Sequence, residues 1–174
     1  MSLTSPQLFS EIAVPGGRMS LGYALSLAEG IPEDRWAEIA IEGATHPAFI
    51  YGHLAIYPNR ILAGFMGRED LVMPCPFDES NLEAGNDCTS DASCYPAKSV
   101  VMPYFKSAYE TVLEAIPELS AERIEAENPV EGFRDKLPLA GAAIAFMVNN
   151  HIMMHMGQVS HWRRAIGLGA LSSG

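Results

Sequence analysis

Apolar residues recur at helical spacing in four stretches of the chain. Leu21, Leu25 and Ala28 stand at i, i+4 and i+7 and predict a first helix over 18–28, opened near Gly16-Gly17 and ended by Gly30-Ile31-Pro32. A short amphipathic turn over 32–39 leads to a second helix over 47–66, with Pro47 in its first turn, where a missing N–H breaks no bond. Pro58 lies inside this stretch and removes a helical hydrogen bond, which predicts a kink just after His53 or a restart at Asn59. Val100, Val101, Tyr104, Phe105, Ala108, Val112, Leu113 and Ile116 give a third helix over 99–116; Pro103 is assigned to its first turn and Pro117 closes it. The fourth runs over 138–166 to Gly167-Leu168-Gly169, with Arg163 and Arg164 in the last turn, where cations favour the helix dipole. No alternating strand pattern and no internal repeat competes.

The connections shape the fold class. Residues 67–98 carry Pro74, Pro76, Pro96 and Gly85-Asn86-Asp87 with little periodicity, and residues 118–136 are charged, with a helical turn around 121–126. Four helices joined by two such long segments imply an all-α fold, a four-helix bundle with long crossover connections in place of tight up-down turns. A length of 174 residues with 48% hydrophobic and 18% charged residues fits one domain over 1–174 and excludes whole-chain disorder.

Charge narrows the partners. A net charge of −10 with no long Lys/Arg run repels phosphate backbones and anionic headgroups, so nucleic acid is not expected as a partner. Met1–Pro6 lacks the basic start and apolar core of a secretory signal, which points to a cytoplasmic protein. The most apolar stretch, 137–156, holds Asn149, Asn150, His151 and His155, so it reads as a buried helix and not as a membrane span. Cys75, Cys88 and Cys94 are odd in number and match no zinc spacing; free thiols without assigned chemistry are expected.

The chemistry concentrates in histidines. His151 and His155 are four apart in a helix, so their side chains rise one turn apart on one face and can reach a single metal ion. The third ligand has to come from elsewhere, and His53 interrupts the apolar stretch Tyr51-Gly52-His53-Leu54-Ala55, with Gly52 allowing close approach of another helix. Gln158 shares the face of His151 and suits a group that supports a ligand or touches substrate, whereas His161 is turned away. His46, just before Pro47, ranks as a cap or surface residue. On residue chemistry alone, a metal site and a hydrogen-bonded core cluster both stay open.

Two blocks also carry a family resemblance. His151-Ile152-Met153-Met154-His155-Met156-Gly157-Gln158, followed by Arg163-Arg164 and Gly167, resembles the C-terminal helix of the DinB/YfiT-like superfamily. Its pattern is His, three residues, His, one residue, Gly-Gln, then Arg-Arg and a terminal Gly. Tyr51-Gly52-His53-Leu54 resembles that superfamily's second helix, an aromatic residue followed by Gly-His-Leu. The likeness extends along the chain in helix number, long second connection and histidine placement, although only these blocks are specific. It implies a DinB/YfiT-like bundle in which His53, His151 and His155 are the metal ligands. Pro58 and the cysteine-bearing segment 67–98 depart from the pattern and leave the mouth of the pocket undefined.

Three neutral imidazoles would leave a divalent ion its charge and an open position, the arrangement of catalytic sites. Zinc or nickel is the expected metal, with iron or manganese as alternatives, because imidazole discriminates weakly among first-row ions. The superfamily includes thiol-dependent transferases, so the leading expectation is a metal-dependent enzyme that activates a low-molecular-weight thiol toward an electrophile, with Tyr57 and Gln158 orienting the reactants. A metal-dependent hydrolase comes second, since no Glu beside the paired histidines supplies a general base. A non-catalytic bundle pinned by metal is the third reading. A homodimer is expected wherever a helix leaves an apolar face exposed, although the pattern alone does not locate that face.

Overall fold

The computed structural model describes residues 4–171, and no β-strand occurs among them. The elements are α1 (Ser5–Ala28), α2 (Pro47–Ala55), α3 (Tyr57–Arg60), α4 (Lys98–Ala115), α5 (Ala121–Glu125), α6 (Ala140–Ala145) and α7 (Ile152–Ala165). Two π turns interrupt the long helices: Ile61–Met66 extends α3, and Phe146–His151 joins α6 to α7. Such one-residue expansions recur at functional sites. The expected all-helical bundle is observed. α1 lies against α4 and against α6–α7, while α2 lies against α4 and α7. Consecutive α1 and α2 therefore stand diagonally across the core, and the segment between them makes the crossing. Tyr51 spans that core, its hydroxyl donating to the Ala24 carbonyl at 2.5 Å.

Several boundaries differ from expectation for identifiable reasons. α1 begins at Ser5, well before residue 18, with Pro6 in the first turn and the Thr4 N–H donating to Gln7 Oε1 at 3.0 Å. Gly16 and Gly17 do not open this helix; they lie inside it, where other helices come close. A Cβ at Gly17 would sit 2.4 Å from Leu113 of α4, and one at Gly16 would sit 2.6 Å from Asn149 in the second π turn. The Pro58 break falls at Ile56, with the helix restarting at Tyr57. Pro103 lies inside α4, because that helix starts at Lys98. Gly67, at φ +67°, closes the second long helix in the left-handed conformation that glycine tolerates best. Arg163 serves a different helix from its own: buried, it donates to the Leu27 and Glu29 carbonyls at 2.8 and 2.9 Å and so satisfies the end of α1.

Residues 67–97 form the irregular segment that the sequence suggests, with short 3₁₀ turns at Glu69–Leu71 and Ala92–Cys94. It nevertheless enters the core. Leu82 is fully buried, and its methyl groups fill the notch at Gly52, where a Cβ would lie 2.6 Å from Leu82 Cδ2. The close neighbour at Gly52 is thus a loop side chain, not the helix anticipated. All three cysteines are free thiols.

Candidate metal centre

Each histidine reaches the centre from a defined place: His53 from the last turn of α2, His151 from the end of the second π turn, and His155 one turn further along α7. One ligand-capable atom from each lies within 4.8 Å of those of the other two. His53 and His151 are buried and His155 is partly buried. The ring centroids are 5.3 Å apart for His53 and His151, 5.0 Å for His53 and His155, and 4.9 Å for His151 and His155.

Hydrogen bonds to the outer nitrogens decide which atoms face inward. His53 Nδ1 lies 2.7 Å from the Leu82 carbonyl. A carbonyl only accepts, so Nδ1 carries the proton and Nε2 presents its lone pair to the cluster. His155 Nδ1 donates to Gln158 Oε1 at 2.8 Å, which leaves Nε2 of that ring as the free acceptor. His53 Nε2 and His151 Nε2 are 3.3 Å apart. Two nitrogens bound to one tetrahedral ion at zinc–imidazole bond lengths are separated by about 3.3–3.4 Å, so the pair fits the edge of such a site. His151 Nδ1 is buried and has no hydrogen-bond partner among the described residues. Among the described residues, no carboxylate or thiol joins the group.

Burial pushes all three histidines below their ordinary pKa. His151 is pushed down to about 3, by burial first and then by the neighbouring His155 and His53. His53 is lowered by burial, partly offset by the Leu82 carbonyl, and His155 is lowered by burial against an opposing bond to Gln158. Neutral rings are the metal-binding form of imidazole, and they are what this environment favours at neutral pH.

Aromatic rings wall the cluster. Phe49 stacks on His53 at 5.9 Å, and Phe146 stacks on His151 at 6.1 Å. Tyr57 stands edge-on to both His53 and His151, at 4.9 and 4.7 Å. Burial raises the Tyr57 pKa, so its hydroxyl stays protonated. The Arg60 guanidinium lies 5.4 Å from the centroid of the Tyr57 ring and pairs with Glu83, the neighbour of Leu82.

Of the sequence candidates, His53, His151 and His155 are brought together, Gln158 is bound to His155, and Tyr57 touches two of the rings. His161 is exposed and outside the cluster, as its helical phase requires. His46 caps α2, accepting from the Phe49 N–H at 3.1 Å through Nδ1, but it is fully buried and donates through Nε2 to the Thr89 carbonyl at 2.8 Å. Its assignment as a surface residue is therefore corrected: a loop covers it. The Leu82 carbonyl was missed. Its only signal is a lone apolar residue in the polar run Ser80-Asn81-Leu82-Glu83.

The cluster is compatible with a metal-binding protein, and no helix among the described residues is long and apolar enough to cross a membrane. No curated protein and no solved structure matches the chain. The profile of the DinB superfamily matches residues 19–159, a span that covers α2 through most of α7 and all three histidines. A match over that much of the sequence, together with an all-helical bundle that gathers His53, His151 and His155, establishes that the chain belongs to the DinB superfamily.

Proposed function

We propose that His53, His151 and His155 hold one divalent ion, zinc or nickel before iron or manganese, and that the loaded protein is a transferase acting on a low-molecular-weight thiol. The observation that carries this reading is the 3.3 Å separation of His53 Nε2 and His151 Nε2, with the outer nitrogens of His53 and His155 tied by hydrogen bonds. When bound, such an ion lowers the pKa of a thiol or water that joins it.

The protein's own residues supply orientation and a low-dielectric wall. The Leu82 carbonyl and Gln158 Oε1 fix ring direction and raise ligand basicity, as partners behind metal-bound histidines generally do. Tyr57, whose ring lies edge-on to His53 and His151 and whose hydroxyl stays protonated, would donate a hydrogen bond to the thiol or to the group that receives it. Phe49 and Phe146 keep competing polar groups off the rings. With Gln158 committed to His155, its role is to hold a ligand more than to touch substrate.

The absence of a carboxylate from the cluster, among the described residues, favours thiol transfer over hydrolysis, because a thiol that loses its proton to solvent needs no neighbouring base. The test has two parts. Elemental analysis of the purified protein should find near one equivalent of a divalent ion. Transfer of a small thiol to an electrophile should then require that ion and fall sharply in His155→Ala. Equal rates with and without the His155 side chain rule out the mechanism; chelation that lowers the melting point of a protein with no transfer activity supports the non-catalytic bundle instead.

A further inference from the structure

Beside the histidine cluster, one edge of α7 faces a loop across an open groove. Met154, Gly157, Gln158 and His161 share that edge, and Ile41 and Thr45, from the segment before α2, stand opposite. The space between the two walls is about 420 Å³, within the range of small-molecule sites. Trp162 lies buried at its base and pins the loop, its Nε1 donating to the Glu38 carbonyl at 2.7 Å. The Ala44 N–H closes a turn by donating to the Ile41 carbonyl at 3.0 Å, with Gly43 at φ +75°, and the buried His46 anchors the far end. Both walls are therefore built before anything enters.

Three features of the groove are unexplained by the chain itself. Gly157 is unfavourable inside α7 relative to alanine, yet a Cβ built there meets no atom within 4 Å, so no internal packing requires the glycine. Ile41 and Met154 leave 44% and 63% of their surface exposed on facing walls. Gln158 accepts from His155 Nδ1 through Oε1, while its Nε2 donates to nothing among the described residues. One amide thus touches an imidazole of the cluster on one side and the groove on the other. The lining carries no Asp, Glu, Lys or Arg among the described residues, so a charged occupant would lose its hydration without gaining a partner. The net charge of −10 disfavours an anion further.

We propose that this groove seats the electrophile, an uncharged and largely apolar molecule that carries a hydrogen-bond acceptor. Its apolar body lies over Gly157 between Ile41 and Met154, and its acceptor takes a bond from Gln158 Nε2. Its reactive carbon then points past Gln158 toward the partly buried His155. This assignment rests on the thiol-transfer reading above and gives that reaction its second substrate. With chlorodinitrobenzene as the electrophile, the thiol gives its proton to solvent and its sulfur forms a bond to the ring carbon that carries chlorine. The carbon–chlorine bond breaks and its electron pair leaves with chloride, so no oxidant or reductant is consumed. Holding His155 and orienting the acceptor are compatible tasks for Gln158, because they use different atoms of the amide.

Binding is read first, on the full chain without thiol or turnover, by ligand-observed NMR with meta-dinitrobenzene, which has no leaving group. Saturable binding is expected, about tenfold or more weaker for dinitrobenzoate, which adds a negative charge. Gly157→Leu fills the groove and Ile41→Asp puts a charge in its wall; each should weaken dinitrobenzene binding about tenfold or more. Met153→Glu, exposed on α7 but outside the groove, should not. Helical signal and metal content should match the parent protein in all three. In turnover, Gly157→Leu and Ile41→Asp should raise KM for chlorodinitrobenzene about tenfold with a smaller change in kcat, a split that a loosened histidine cluster would not produce. No binding of dinitrobenzene, undiminished binding in Gly157→Leu and Ile41→Asp, or equal binding of dinitrobenzoate overturns the proposal. Binding with the expected variant pattern in a protein that transfers no thiol upholds the groove as a site for uncharged apolar ligands and overturns the transfer reading alone.

Discussion

His53 and His155 face the same point in space, but their supports differ in kind. His155 is steadied by Gln158, three residues further along its own helix. His53 is steadied by the carbonyl of Leu82, 29 residues away in a segment without regular structure. The first support forms whenever α7 forms. The second exists only when the 67–97 segment has folded back, slid the Leu82 side chain into the Gly52 notch, and been pinned by the pairing of Arg60 with Glu83. One half of the centre is therefore a property of local helical geometry, and the other is a property of the whole tertiary structure.

That contrast can be broken most severely by removing a ring. His53→Ala and His151→Ala should each lower affinity for zinc or nickel by more than the roughly 10- to 100-fold typical of losing a supporting partner, as read by isothermal titration. Native affinity in either variant contradicts the ligand assignment. Gly52→Ala tests the distant support alone. Its methyl group would stand 2.6 Å from Leu82 Cδ2 and displace the carbonyl bonded to His53. We expect roughly 10- to 100-fold weaker metal binding. A net stability loss of about 1 kcal/mol should accompany it, overpacking outweighing the gain in helix propensity. Unchanged affinity there would mean that the Leu82 carbonyl does not matter to His53.

Gln158→Leu tests the local support and should be milder, about tenfold in affinity, because Gln158 is exposed and water can replace the lost acceptor. A larger effect than that of Gly52→Ala would reverse the ranking of the two supports. The last effect is in pH, and it reads the burial of the rings without any metal. Below about 6.5 an unfolded chain protonates its histidines. The folded chain, with His53, His151, His155 and His46 all shifted down by burial, resists doing so. The unfolded state then binds more protons, so stability of the metal-free protein should fall as pH drops below that value, continuing toward the pKa of about 3 of His151, with no gain on raising pH above it. The slope contributed by any one histidine is at most about 1.4 kcal/mol per pH unit. Thermal melts at pH 7 and 5 check the sign, and His151→Gln should flatten the dependence more than His155→Gln.

The same division between local and distant explains what the sequence discloses. The pairing of His151 with His155, the Gln158 partner and the helical character of every long element follow from periodicities within one helix, and they are visible as spacings. The convergence of His53 with that pair was anticipated from an apolar stretch interrupted by one imidazole. The Leu82 carbonyl has no side-chain identity to recognise, since any residue offers one, and its position depends on the fold of an aperiodic segment. Gly16-Gly17 misled for a related reason: a glycine pair marks a helix terminus or a close crossing equally well, and only Leu113 and Asn149, far along the chain, decide between them. His46 likewise looks exposed until the loop carrying Thr89 is laid over it.

The π turn at Phe146–His151 has a consequence for tolerance to changes in length. A π turn holds one residue more than the α turn it replaces, so it offsets the angular phase of everything after it by about 100°. α6, packed on the Ile61–Met66 turn, and α7, packed on α1 and α2, thereby keep separate rotational settings within one continuous helix. Deleting a single residue between Phe146 and Asn150 would turn the π turn into an ordinary α turn and keep the edge bearing His155 and Gln158 in line with His53, whereas forcing the same six residues into α geometry at unchanged length would swing that edge away by about 100°. In this stretch of chain, length acts as an angle.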